Sequence, residues 1–159
     1  MAAVAYRDGG QALVAALKFG GARGALPWVV AELAARLDRQ PLRFDVVTWV
    51  PTTPAHRRRR GGDQAEVIAR SLARRLRLPA RSLLRRLSGP AQAGRSAAAR
   101  RVGPPLELRA LPPPRILVVD DVITTGGSVA AAARVLRSAG AATVAAAAVA
   151  RTPPGRLST

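Results

Sequence analysis

The stretch at residues 116–129, ILVVDDVITTGGSV, constrains the fold more than any other part of the chain. Four apolar, mostly β-branched residues come first, which suits a strand buried on both faces. Two adjacent acids follow, then a turn of threonine and glycine. Apolar spacing of the helical kind begins immediately afterwards and ends at Gly140, predicting a helix over about 127–138. A strand buried on both faces and running straight into a helix belongs to a parallel sheet with helices packed on it.

The rest of the chain repeats that alternation. Residues 45–50, DVVTWV, stopped by Pro51, and 143–150, TVAAAAVA, read as strands, and 82–87, SLLRRL, as a short one. Helices are expected over 10–19, with Leu13, Val14 and Leu17 at helical spacing, and over about 26–37, with Trp28, Val29, Leu33 and Leu37 on one side. A further helix over 63–77 has Val67, Ile68, Leu72 and Leu76 as its apolar stripe. Asp63 is its expected N-cap, and Glu66 is placed to pair with Arg70. Residues 88–105 hold too few large apolar side chains to pack and read as a flexible loop; 152–159 read as a frayed tail. The expected fold is α/β in one domain over 1–159: a mainly parallel sheet flanked by helices, with a small helical part at the N-terminus.

The turn after the strand expected at 115–120, RILVVD, has the chemistry of a phosphate cradle. Gly126 and Gly127 let the backbone approach an anion. Amides at the start of the next helix lack helical partners and carry the positive end of its dipole, and Thr124, Thr125 and Ser128 add hydroxyls. Asp120 and Asp121 would repel a phosphate, but ionised carboxylates accept hydrogen bonds, and sugar hydroxyls donate them. One stretch thus reads both parts of a ribose 5-phosphate. Neither the GxxxxGK[ST] phosphate loop nor the GxGxxG dinucleotide fingerprint is present here.

Residues 116–129 resemble the phosphoribosyl-pyrophosphate (PRPP) motif of type I phosphoribosyltransferases. Within that group the chain resembles the ComF family. VPTTPAHRRRRGGDQAEVIARSLA at 50–73 is similar to its proline, arginine-rich and Arg-Gly-Phe-Asn-Gln segment. There Arg60, Gly61 and Gln64 keep the pattern, Gly62 replaces the aromatic residue and Asp63 the asparagine. ALKFGG at 16–21, Gln92 with Arg100, and AVART at 148–152 extend the likeness over nearly the whole chain. The resemblance implies transfer of ribose 5-phosphate from PRPP to a nitrogenous acceptor, with release of pyrophosphate. It implies catalytic roles for Asp120, Asp121 and Arg60, and ribose and 5′-phosphate binding by Asp120, Asp121, Thr124, Thr125, Gly126, Gly127 and Ser128. Pyrophosphate falls to Pro51, Thr52, Thr53, Arg59 and Arg60, and the flexible loop carries Gln92, Arg95, Arg100 and Arg101. Magnesium is expected to arrive with PRPP, with no direct protein ligand and water-mediated contact to Asp120 and Asp121. ComF-like proteins often begin with a Cys-rich zinc module; that module, and zinc with it, is not expected here.

Composition bounds the alternatives. The 159 residues include no cysteine and one histidine, His56, which excludes disulfides, thiol catalysis and Cys-ligated metal. No apolar run is long enough to span a membrane and the N-terminus has no signal-peptide layout, so a cytoplasmic protein without membrane insertion is expected. The net charge is +17, with 26 Lys and Arg against 9 Asp and Glu. That excess suits polyanionic partners, although an Arg- and Ala-rich genome produces the same bias. Two other functions stay open at this point. One is a competence-associated accessory protein for uptake of single-stranded DNA, with Arg70, Arg74 and Arg77 in a row; the other is a non-catalytic PRPP sensor. Analogy with such folds adds a symmetric homodimer.

Overall fold

The computed structural model of the chain describes residues 2–5, 24–53, 62–87 and 103–151. The expected helix at 10–19, the basic run at 57–60, the stretch at 88–102 and the tail at 152–159 lie outside the described residues.

Four strands form one parallel sheet: β1 (Ala2–Ala5), β2 (Val46–Trp49), β5 (Arg115–Ile123) and β6 (Thr143–Arg151), in the spatial order β1-β6-β5-β2. Two short strands, β3 (Leu84–Arg86) and β4 (Leu106–Leu108), pair antiparallel in a separate two-stranded sheet. Three helices, α1 (Ala25–Asp38), α2 (Gln64–Leu76) and α3 (Gly127–Ser138), complete the described elements.

The central strand β5 explains the layering. Its side chains alternate between faces, and both faces are covered. Leu117 and Val119 point to a core built with α1 and α2 through Val29, Leu33, Leu37, Ile68 and Leu72. Ile116 and Val118 point to a second core with α3 and the small sheet, through Leu83, Leu84, Ala132 and Leu136. Complete burial of each large aliphatic side chain contributes about 1.5–3 kcal/mol, and these two cores bind the helices to the sheet. The edge at β2 is covered as well. Val47 N donates to Pro79 O at 2.9 Å, Arg81 N donates to Val47 O at 3.0 Å, and Leu83 N donates to the buried Thr48 hydroxyl at 3.3 Å.

The structure corrects several expectations. Strand β5 runs on to Ile123, three residues past the expected end at Asp120, so Asp121 belongs to the strand as well. Pairing with β6 continues past them, through Val122↔Ala150 and Ile123↔Arg151, and holds the backbone extended. Residues 106–108, to which the sequence reading assigns no element, form β4: the buried Leu106 packs in the second core and the backbone of 84–86 is there to pair with. Residues 2–5, AAVA, form a strand that the sequence reading did not assign, since one β-branched residue, Val4, in so short a run is a weak strand signal. Val67 and Trp28, expected in apolar stripes, are exposed at 43% and 53%. The contact faces instead use Ala65, Ala69 and Ala73 on α2, and Val30 and Ala34 on α1. Small residues there let the helices lie close together.

Gly103 ties the strand leading into β4 to α3. Its φ is +81°, and a Cβ there would lie 2.1 Å from Gly127 O and 3.0 Å from the Ala131 Cβ. Gly140 has a φ of +99° but open space where a Cβ would go. Gly103→Ala is therefore expected to cost about 2–4 kcal/mol, combining backbone strain and overpacking, against about 1 kcal/mol for Gly140→Ala. Denaturant melts of the two variants check the difference.

Candidate functional site

The site arises where β2 stops and β5 does not. The two strands stay paired through Trp49↔Val119, and Val50 N donates to Val119 O at 2.9 Å. The chain then turns away at Pro51, and among the described residues no strand pairs with the last residues of β5 on that side. The helix after β2 covers one face of the sheet and the helix after β5 covers the other. A crevice between two strands whose following helices diverge in this way is where open α/β sheets bind ligands.

That crevice is a cleft of about 270 Å³ lined by residues of five segments. Pro51 and Thr52 come from the end of β2, Gly62, Asp63 and Gln64 from the start of α2, and Arg86 from β3. Asp120, Asp121 and Val122 come from β5, and Ser128 from α3. The volume lies just below the roughly 300–1,000 Å³ range of small-molecule sites, and the lining is chiefly polar. A smaller hollow adjoins it, lined by Thr124, Thr125, Gly126, Gly127 and Ser128 and sharing Asp120, Val122 and Ser128 with the larger one. Gly126 stands at the N-cap of α3 with a φ of +78°, so the cap supplies no side chain. Gly127 N reaches the Thr125 hydroxyl only at 3.4 Å. The start of the helix dipole therefore faces this hollow.

The fold thus brings together Pro51, Thr52, Asp120, Asp121 and Ser128 in one cleft, with Thr124, Thr125, Gly126 and Gly127 beside it. Thr53, half-buried, follows Thr52 without lining the cleft. Arg59, Arg60, Gln92, Arg95, Arg100 and Arg101 lie outside the described residues. Three lining residues with polar or charged side chains were missed as site residues: Asp63, Gln64 and Arg86. Asp63 and Gln64 read as a helix start. Asp63 does occupy the N-cap position, without a side-chain cap; its Oδ2 accepts the Thr52 amide at 2.9 Å and so ties the two loops of the cleft together. Arg86 had a signal in strand alternation, which puts it on the same face as the buried Leu84.

Electrostatics at the acid end are strained by design of the sheet. Burial raises the pKa of Asp120 well above the ordinary carboxylate value, and the neighbouring Asp121 and the more distant Asp63 add to the effect. Burial also raises Asp63, partly offset by the Thr52 amide. Asp121 N donates to the Asp120 carboxylate at 2.8 Å, and Val122 N to that of Asp121, also at 2.8 Å. Among the described residues no group of three or more His, Asp or Glu is arranged to hold a metal ion.

A carboxyl whose pKa is raised by folding binds its proton more tightly in the native state. Its ionisation costs stability as pH rises from the unfolded value, 3.8, through the folded one. Asp120→Asn keeps the amide acceptor and removes that cost. It is expected to raise the melting midpoint by a few degrees at neutral pH, the gain over the parent shrinking as pH falls toward 4. Paired thermal melts across pH check the sign; a gain that grows on acidification contradicts it.

The chain matches the phosphoribosyl transferase domain over residues 20–158. None of the curated proteins matches it by sequence. Among solved structures it is similar to an adenine phosphoribosyltransferase from Leishmania donovani (14% identity, TM-score 0.55), with 93% of this chain and 70% of that one covered. It is similar also to an orotate phosphoribosyltransferase from Aeropyrum pernix (25%, TM-score 0.50), covering 84% and 75%. The glutamine PRPP amidotransferase from B. subtilis, solved with ADP and GMP, aligns at 20% identity and a TM-score of 0.53. It covers 86% of this chain, which spans less than a third of that enzyme's length. A family match over nearly the whole sequence, and a parallel sheet with its cleft beyond β2 and β5, lead to one assignment: the chain belongs to the phosphoribosyl transferase domain family.

Proposed function

We propose that this domain binds PRPP and transfers its ribose 5-phosphate to a nitrogenous acceptor, releasing pyrophosphate. The observation that carries the reading is the continuity of the two hollows. An acid pair on β5 leads directly into a glycine turn at the start of α3, with Ser128 shared by both. In this reading the amides and hydroxyls of 124–128 donate to the 5′-phosphate. Hydrogen bonds to a charged group are worth roughly 1.5–3 kcal/mol each, so a few suffice to anchor it. Asp120 and Asp121 accept from the ribose hydroxyls, and Pro51, Thr52 and Thr53, with Arg59 and Arg60, take the pyrophosphate.

Cleavage of the C1–oxygen bond leaves positive charge on the sugar and negative charge on the leaving group. Residues of this chain lower the barrier by holding both charges in fixed geometry and by excluding water. Asp120 and Asp121 keep the ribose ring oriented, with their negative charge beneath the carbon that becomes cationic. The cleft offers hard carboxylate oxygens from Asp120, Asp121 and Asp63, and among the described residues no group of three or more His, Asp or Glu forms a cage. That suits a cation which keeps its waters and binds chiefly through substrate oxygens. When bound, the metal supplies neutralisation of the pyrophosphate.

The finer ComF assignment rests on the resemblance at 16–21, 50–73 and 148–152. On that reading the domain acts in the cytoplasm as a symmetric dimer with an acceptor of its own. No aromatic residue among the described ones lines the cleft. A competence role in handling single-stranded DNA draws on the +17 charge. In the Arg70, Arg74 and Arg77 row, Arg70 is engaged locally, 2.9 Å from Glu66 and 5.2 Å above the Trp49 ring.

Two measurements test the proposal. PRPP with magnesium at about a hundred times its Kd is expected to stabilise the protein by about 2.7 kcal/mol. The Asp120→Asn/Asp121→Asn double variant is expected to lose that protection while remaining folded; an unprotected parent protein overturns the reading. Pyrophosphate release from PRPP in the presence of a panel of purine, pyrimidine and amine acceptors is expected with at least one of them. Protection by PRPP without release from any acceptor identifies a sensor and not an enzyme.

A further inference from the structure

Past the last ladder bond of β2, from Val50 N to Val119 O, the backbone has no strand beside it among the described residues. Pro51 has no amide to place. Thr52 is therefore the first residue beyond the sheet whose N–H needs a partner. It finds one eleven positions further on, in the Asp63 carboxylate, at 2.9 Å. Asp63 is 8% exposed, less than any other charged residue among the described ones. A carboxylate buried to that degree disfavours folding unless hydrogen bonds compensate it. An exposed acid would suit the helix dipole at the start of α2 as well, and Asp63 makes no side-chain cap there. What its burial secures is the turn at Thr52.

Thr52 and Asp63 both line the larger cleft, and neither lines the hollow at Gly126 and Gly127. Under the proposed function that hollow takes the 5′-phosphate, and Thr52 belongs to the part that takes the group on C1. The Thr52 amide is already committed to Asp63, so it is no donor for a ligand; its bond instead fixes the backbone that carries the Thr52 side chain. A binding group held in place before the ligand arrives has less freedom left to lose on binding. We infer that Asp63 is a positioning residue: by holding the Thr52 amide, its carboxylate oxygen presets the turn after β2 for the anionic group on C1. It acts on that group through Thr52 and leaves the 5′-phosphate end of the site untouched. The inference rests on the proposed site and adds a residue to it.

The test titrates PRPP and ribose 5-phosphate calorimetrically, in magnesium, into the full chain and into Asp63→Ala, Asp63→Ser and Asp63→Asn. Amide hydrogen exchange at Thr52 reads the hydrogen bond directly. Asparagine keeps an acceptor oxygen and drops the charge, alanine drops both, and serine caps a helix as aspartate does on a shorter side chain. Asp63→Ala is expected to lose about fivefold or more in PRPP affinity, with ribose 5-phosphate changed less than about twofold. Its Thr52 amide is expected to exchange about tenfold faster or more. Asp63→Ser follows Asp63→Ala and answers the question if the alanine variant does not fold. Asp63→Asn keeps PRPP affinity within about twofold of the parent and keeps the Thr52 amide protected. Equal loss for both ligands in Asp63→Ala or Asp63→Ser overturns the inference, since Asp63 then supports the fold at large. So does unchanged PRPP affinity alongside a fast Thr52 amide. An Asp63→Asn variant that loses as much as Asp63→Ala overturns it too, because the charge and not the acceptor is then what matters. A parent protein that binds neither ligand overturns the proposed site itself, a result distinct from all of these.

Discussion

The mismatch in length between β2 and β5 is the constraint on which the site depends. Hydrogen bonding holds the two strands in register to Trp49 and Val119, and β5 then continues for four residues paired with β6 alone. Asp120 and Asp121 sit in that margin, paired with β6 on one side and, among the described residues, with no strand on the other. Had β2 run on beside them, its backbone would have filled the space that is now the cleft. Had β5 stopped with β2, the acids would have lost the extended backbone that sets both of them at the opening.

The surrounding structure maintains that margin against its own electrostatics. Desolvation and like charge both disfavour ionised Asp120, and Asp63 stands close enough to add to the repulsion. A folded core has no use for such an arrangement, and the two large apolar clusters on either side of the sheet are what make it tolerable. Under the proposed function, hydroxyl donors or a cation entering the cleft would relieve that repulsion. Asp63 illustrates the double use of one side chain, since its carboxylate also fixes the loop at Thr52 through the 2.9 Å amide contact.

Positive charge in the cleft comes from a separate sheet. The β3–β4 pair contributes Arg86 from outside the parallel layer and is itself held by apolar contacts and by the close approach of Gly103 to Gly127. Acid end, glycine turn and guanidinium therefore come from three elements with independent anchors. Geometry of that kind is kept by the core and not by the ligand.

Much of this was legible from local sequence, for a physical reason. The run of apolar residues before Asp120, the glycine turn and the helix after it are short-range patterns, and backbone preference and burial act on them directly. The helices at 25–38 and 64–76 and the strands at 46–49 and 143–151 followed from the same rules, as did the Glu66–Arg70 pair. What local pattern left undetermined was decided by pairing between distant segments. An alanine strand at 2–5 is stable only because β6 is beside it, and 106–108 becomes a strand only against 84–86. The exposure of Val67 and Trp28 was decided by which helix face found small neighbours. Asp63 and Arg86 gained their places in the cleft from where α2 and β3 dock. Residue order sets which segments are apolar, extended or cradle-like; only the packed sheet sets which of their side chains meet across a gap.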